Sequence, residues 1–159
     1  MAQTTGGLAR SNFKLEVSND GTTWVDISGA AAGVTPGGGE QMVGEQNTAD
    51  GAFPIVVSGK KFSARTLEFN CVYTDTANEP WKFVSTRYNS VTPTVYVRYS
   101  PEGGAIGNQR FLVADGAGNA FAAPIVNCLP PEGDATTGDP LMFTFSVICP
   151  RLYETTISS

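Results

Sequence analysis

The chain contains no histidine. That absence removes the Ser-His-Asp triad, the Cys-His pair, the HExxH zinc site and the Cys₂His₂ finger together. It also leaves no side chain whose ordinary pKa lies near neutrality. Chemistry would have to come from carboxylates, lysines or thiols. Asp26 and Glu68 could face each other across strands as the paired acids of glycoside hydrolysis, although a Glu on the solvent face of a strand is ordinary. Asp115-Gly116-Ala117-Gly118-Asn119 has the outline of a calcium loop, but it lacks the middle acid and no Glu closes it. Glu132, Asp134 and Asp139 offer further oxygen ligands, yet acids in turns are usually just solvated. Ser58-Gly59-Lys60-Lys61 lacks the spacing of a phosphate-binding loop; with Arg65 it reads as an exposed, basic strand edge. Cys71, Cys128 and Cys149 are widely separated, form no CxxC, and read as buried free thiols. No catalytic residue, cofactor or metal ligand is expected, and the chain is not read as an enzyme.

These residues sit on elements with period-two alternation, the mark of half-buried strands. Phe13, Leu15 and Val17 alternate with Lys14 and Glu16. Asn19-Asp20-Gly21 then turns the chain into Trp24-Val25-Asp26-Ile27, a hairpin signal. Ser18 to Trp24 also looks like the Asp box of sialidase propellers, but it is one residue short and occurs once, so the hairpin explains it. Further strands are expected at Phe53–Val57, with Pro54 at an edge or start, and at Thr66–Tyr73, Thr94–Ser100, Arg110–Val113, Ala122–Leu129 and Leu141–Cys149. One helix is expected from Asn78 to Tyr88, capped by Asn78 with Pro80 in its first turn. Its Trp81, Val84 and Tyr88 fall on one face. The reading is a mainly β fold, a sandwich or barrel of about eight strands with one flanking helix.

Two segments lack this pattern. From Ser28 to Asp50 the chain turns to Gly, Ala, Thr and acids, and a structureless loop this long is usually functional. The tail 151–159 has no evident partner within the domain. The division is thus a terminal arm over 1–11, one β-rich domain over 12–150 containing the long loop 28–50, and the tail.

Composition points toward assembly. The 159 residues include 16% charged and 10% aromatic side chains, with 18 Gly and 10 Pro. Ordinary domains carry about 25% charge, so large surfaces are expected to end against other subunits. Ten Lys and Arg against 15 Asp and Glu give a net charge of -5, which disfavours tight binding of nucleic acid. Met1 to Gly7 show no signal peptide, and no apolar stretch approaches the ~20 residues a membrane span needs. No membrane insertion is expected.

Taken together, the Gly6-Gly7-Leu8 arm, the hairpin from Asn12 to Ile27, the long Gly- and acid-containing loop, the single mid-chain helix and the closing strand from Gly138-Asp139-Pro140-Leu141 resemble the major tail tube proteins of long-tailed, siphovirus-like phages. That family is related in fold to type VI secretion tube proteins. The resemblance implies hexameric rings stacked into a tube, with the loop 28–50 reaching toward the neighbouring ring. Gly33, Gly37, Gly38, Gly39, Glu40 and Glu45 are its candidate inter-ring residues. It implies as partners further copies of the chain, a tape measure protein, and tail terminator and tail tip proteins. Double-stranded DNA would pass through without tight binding. The protein would belong to the virion tail, assembled in the host cytoplasm. An acidic wall would keep phosphates off, and Glu16, Glu68 and Asp26 are the candidates to line it, although periodicity fixes a face and not its direction. The competing expectation is a carbohydrate-binding sandwich or phage adhesin that stacks sugars on Trp24, Trp81 or Tyr96.

Overall fold

A computed structural model of the chain describes residues 12–134, 136 and 138–158. The expected terminal arm over 1–11 lies outside them. The strands are β1 (Lys14–Ser18), β2 (Trp24–Asp26), β3 (Ala31–Gly38), β4 (Gln41–Gln46), β5 (Ile55–Phe62), β6 (Arg65–Val72), β7 (Thr94–Ser100), β8 (Gln109–Ala114), β9 (Ala123–Leu129), β10 (Met142–Cys149) and β11 (Arg151–Thr156). One helix, α1 (Pro80–Tyr88), falls between β6 and β7. The mainly β expectation with one helix holds.

Nine strands form one antiparallel sheet folded into two leaves. The first leaf runs β2-β1-β7-β8-β11 and the second β9-β10-β6-β3. Only the start of β7 joins them, where Thr94 and Val95 pair with Pro124 and Ala123 of β9. The fold is therefore a sandwich hinged along one side.

Alternation dictates what lies between the leaves. Leu15 and Val17 of β1 and Val95 and Val97 of β7 are fully buried against Leu67 and Phe69 of β6 and Phe143, Phe145 and Val147 of β10. Phe69 stacks on Phe145 with ring centroids 4.6 Å apart. Each such side chain contributes about 2–3 kcal/mol of burial.

The helix closes one end of the sandwich. Val84 is buried, and Trp81 packs edge-on to Phe143 at 5.2 Å and against Tyr73 at 5.3 Å. Its cap differs from expectation. Asn78 takes a left-handed conformation (φ 65°), and Glu79 becomes the N-cap without a side-chain bond to the first turn. The Glu79 carboxylate accepts instead from the Thr74 hydroxyl.

Two further expectations are corrected. The stretch 28–50 is not a loop; it holds β3 and β4. The tail is not free either, because β11 pairs with β8 from Arg151↔Ala114 to Thr156↔Gln109. The described residues form eleven strands where about eight are expected. β3 and β11 are edge strands whose backbones are held by β6 and β8, so their own residues need not alternate.

Candidate assembly surface

β3 and β4 continue one another through a bend at Gly38-Gly39, and β5 and β6 do so through Ser63-Ala64. β3 pairs with β6 inside the sandwich, while among the described residues β4 pairs only with β5, in a separate two-stranded sheet. The result is one long hairpin, bent in the middle, whose outer half leaves the body as a ribbon.

The bend is built from glycine by necessity. Gly38 and Gly39 have φ of +68° and +72°, a region costly for any residue with a Cβ. A Cβ on Gly38 would stand 2.2 Å from the Ala64 carbonyl oxygen, and one on Gly39 would stand 2.0 Å from Arg65 Nε. Hydrogen bonds lock the corner: Gly39 N–H donates to Ala64 O (3.1 Å), Ser63 N–H to Glu40 O (2.9 Å), and Glu40 N–H to Ser63 Oγ (3.0 Å). Farther out, the register passes from Val43↔Ser58 to Gln41↔Phe62, so β5 carries two more residues than β4 between those pairs. This bulge holds Lys60 at φ 56° and sharpens the local twist.

Every residue of β4 and β5 is exposed. Ile55 and Val57 share a face with Gln46 and Gly44, and Val56 shares the other with Glu45. Both faces therefore show large apolar side chains to water: Val56 is 60% and Phe53, at the tip, 84% exposed. An isolated two-stranded ribbon is marginal in water. A ribbon that is apolar on both faces needs a partner on both, and each side chain covered there contributes about 1 kcal/mol or more.

The six candidate inter-ring residues are distributed along this hairpin. Gly33 and Gly37 lie in β3 opposite Asn70 and Thr66, Gly38 and Gly39 make the bend, Glu40 is tied to Ser63, and Glu45 stands opposite Val56 on the ribbon. The apolar residues that dominate the surface, Met42, Val43 and Phe62, were not singled out by sequence. They sit among Gly, Gln, Glu and Lys, so neither a run nor a period marks them.

The three candidate wall residues separate. Glu16 sits between Asp26 and Arg98 on the outer face of the first leaf, whereas Glu68 stands on the outer face of the second, between Thr35 and Ser146. The pairing of Asp26 with Glu68 as a glycosidase dyad is thereby excluded, since they occupy opposite leaves. Glu16 is largely covered, with a side chain 12% exposed, and accepts from Arg98 Nε at 2.7 Å and Nη2 at 3.2 Å. Lys14 Nζ adds a contact at 3.3 Å to Glu16 and one at 3.8 Å to Asp26. Burial alone would push the Glu16 carboxyl up, but Arg98 and Lys14 outweigh it and hold it below the usual range. Burial likewise opposes ionisation of Asp26, and hydrogen bonds from Ser28 with the charge of Lys14 prevail. Both charges are thus matched locally. Glu68 is exposed and, among the described residues, makes no ion pair.

The remaining chemistry candidates have local structural roles. Asp115 accepts from the N–H groups of Ala117 and Asn119, closing its own turn. Asp20 does the same for Thr22 and Thr23 in the β1–β2 turn. Among the described residues no group of three potential ligands gathers around a metal-sized space. The thiols are free, and burial pushes Cys71 up to about 12 and Cys128 up to about 11. Each candidate platform aromatic has a neighbour against its ring: Arg98 lies over Trp24 at 4.2 Å, Trp81 packs against Phe143, and Tyr96 lies by Gly21.

No family model and no curated protein matches the chain. Solved structures do. A chain of the PVC sheath–tube complex of an extracellular contractile injection system, in its extended state, matches with a TM-score of 0.64 at 12% identity, over 96% of this chain and 94% of that one. The PVC sheath/tube terminator matches at 0.61 and 12% identity, over 94% and 97%. The tube-terminating cap of the anti-feeding prophage matches at 0.60 and 11% identity, over 98% and 95%. The likeness extends over nearly the full length of each chain, and at this identity it is a likeness of fold: the chain has the tail-tube-like β fold.

Proposed function

We propose that this chain is a structural subunit of a tail tube and has no catalytic role. The observation that carries the reading is the bent ribbon with apolar residues on both faces, which is solvent-exposed in the single chain and suited to burial between subunits. The full-length likeness in fold to components of tube assemblies supports it. In this reading the subunits form hexameric rings that stack, with the ribbon reaching from one ring to the next, and a terminator and a tip complex close the two ends. A tape measure protein occupies the channel during assembly, and the DNA of a long-tailed phage follows it on ejection. The protein is then a virion component assembled in the host cytoplasm.

Glu68 is the leading residue for the channel wall. Its leaf presents Thr35, Thr66, Asn70, Thr144 and Ser146 around it on the same outer side, with Met142 and Ile148 at the two ends, a mainly polar patch with one unmatched carboxylate. Such a wall repels phosphates weakly and offers them no cation to hold. Glu16 and Asp26, matched by Arg98 and Lys14, contribute far less potential.

The likeness to a sheath–tube complex supports a second reading, a tube enclosed by a contractile sheath. Electron microscopy of the purified chain tests the common part. Hollow tubes or stacked rings are the expected result, and dispersed monomers at high concentration would sink it. Microscopy of the native particle separates a bare flexible tube from a sheathed one.

A further inference from the structure

Resting on the tube-subunit reading, we propose that the tip of the β4–β5 ribbon docks in a groove at the base of the same ribbon on a second copy of the chain. The groove lies where the hairpin bends out of the sandwich. Phe62, Phe121, Pro124, Ile148 and Pro150 line it, and it is a shallow, open hollow of about 430 Å³. A second hollow of about 310 Å³ continues past Phe62 and Pro150 and is bordered by Arg65 and Arg151. An apolar slot thus opens beside two guanidinium groups.

The ribbon tip has the complementary chemistry. Phe53 projects from it, 84% exposed, with Ile55 beside it. From Gln41 to Ser58 the ribbon carries two carboxylates, Glu45 and Asp50, and no cation. From Gly59 to Arg65 it carries Lys60, Lys61 and Arg65 and no carboxylate; Glu40 is the one acid at the bend. One chain therefore bears an acidic, apolar tip and a basic, apolar base.

The two do not meet within one chain. The eight residues of β5 span roughly 25 Å at about 3.3 Å per residue, so the paired ribbon holds its tip well away from its own groove. Contact must be made with a different copy, and it joins unlike surfaces. Such heterologous contacts repeat head to tail and build rings or open-ended stacks. Aromatic insertion supplies the anchor, and the opposite charges set direction and register.

A charge exchange tests this. Reversing the tip (Glu45→Lys with Asp50→Lys) or the base (Lys60→Asp with Lys61→Glu) should raise the concentration needed for polymerisation on the order of tenfold or more. All four positions are exposed, so the circular dichroism spectrum should not change. Placing all four substitutions in one chain should restore polymerisation to within about twofold of the parent. In parallel, with Cys149, which also lines the groove, replaced by serine, a Phe53→Cys chain mixed with an Ile148→Cys chain and oxidised by dissolved oxygen should yield a disulfide-linked dimer that neither forms alone. Tubes that assemble normally from every charge variant, without the mixed dimer, would overturn the docking and leave the tube reading intact. Mixed dimers and charge rescue without tubes would keep the docking and overturn the tube. Neither tubes nor dimers would remove both.

Discussion

Replacing Gly38 by alanine should disable the ribbon while leaving the sandwich folded. The backbone at Gly38 is left-handed, which costs an L-residue about 1–2 kcal/mol. The new Cβ would also stand 2.2 Å from the Ala64 carbonyl oxygen, a backbone atom that cannot rotate away. Relief requires the Ser63-Ala64 corner to shift, which breaks the 3.1 Å hydrogen bond from Gly39 N–H to Ala64 O, worth about 1 kcal/mol. The sum is about 2–3 kcal/mol. It falls on the direction of the ribbon, because the corner lies outside the buried core. If assembly requires the observed direction, that energy must be supplied again on docking. The critical concentration then rises roughly 30- to 150-fold, at tenfold per 1.4 kcal/mol. The monomer's Tm should move by a few degrees at most, about what a change at the edge of the fold produces. Two neighbours calibrate the argument. Gly39→Ala meets only the flexible Arg65 side chain, so it should cost about the left-handed penalty alone, roughly tenfold. Gly44→Ala meets nothing within 4 Å and should be neutral. Pelleting assays across a concentration series, with calorimetry of the monomers, read all three. Parental assembly by Gly38→Ala, or an equal effect of Gly44→Ala, would refute the view that this corner aims the ribbon.

Arg98→Ala should lower stability by about 2–3 kcal/mol in chemical denaturation, since it strands the covered Glu16 carboxylate and uncovers Trp24. Acid should act at the same place. Glu16 and Asp26 have folded pKa values below their ordinary 4.5 and 3.8, so they stabilise the fold above those values. That contribution is lost as pH falls through the lower folded values, and a Glu16→Gln variant should show a flatter decline of Tm below about pH 4.5. Cys71, buried and pushed up to about 12, should resist maleimide at neutral pH in the native state and react only on unfolding, as read by mass spectrometry. Glu68→Lys should leave tube assembly unchanged and slow DNA ejection from particles; ejection at the parental rate and salt dependence would remove Glu68 from the wall.

The strands inside the sandwich were legible because their burial alternates. Thr94–Ser100 is read from sequence with the bounds the structure gives, and its Val95, Val97 and Tyr99 point inward as alternation requires. In β10 the inward row from Phe143 to Cys149 is likewise buried, and only Leu141, just ahead of the strand, stays exposed. Where burial comes from one side only, a period of two is a record of the finished structure. The edge strands escaped for the converse reason. β11 has Leu152 against the core, but Tyr153 and Glu154 beside it break the pattern, and its backbone is held by β8.

The ribbon poses a different problem, and its solution bears on function. A strand that will be covered on both faces has no polar side to alternate with, so the apolar run expected as a strand over Phe53–Val57, found as β5 from Ile55, carries no period to say which face is buried. Its partner β4 and the bend are rich in glycine for reasons of backbone geometry, which imitates the composition of a loop. In an ordinary buried strand the missing alternation is explained by neighbours within the same chain. Here, among the described residues, β4 and β5 have only each other, and every one of their residues is exposed. The sequence pattern is that of a strand covered on both faces, and the described residues of the chain supply neither cover. A monomeric protein has no reason to hold such a ribbon at a fixed angle with two left-handed glycines and a hydrogen-bonded corner. The rigid bend has a physical purpose once the missing neighbours are other copies, because a repeating contact propagates only if each subunit presents it in the same direction.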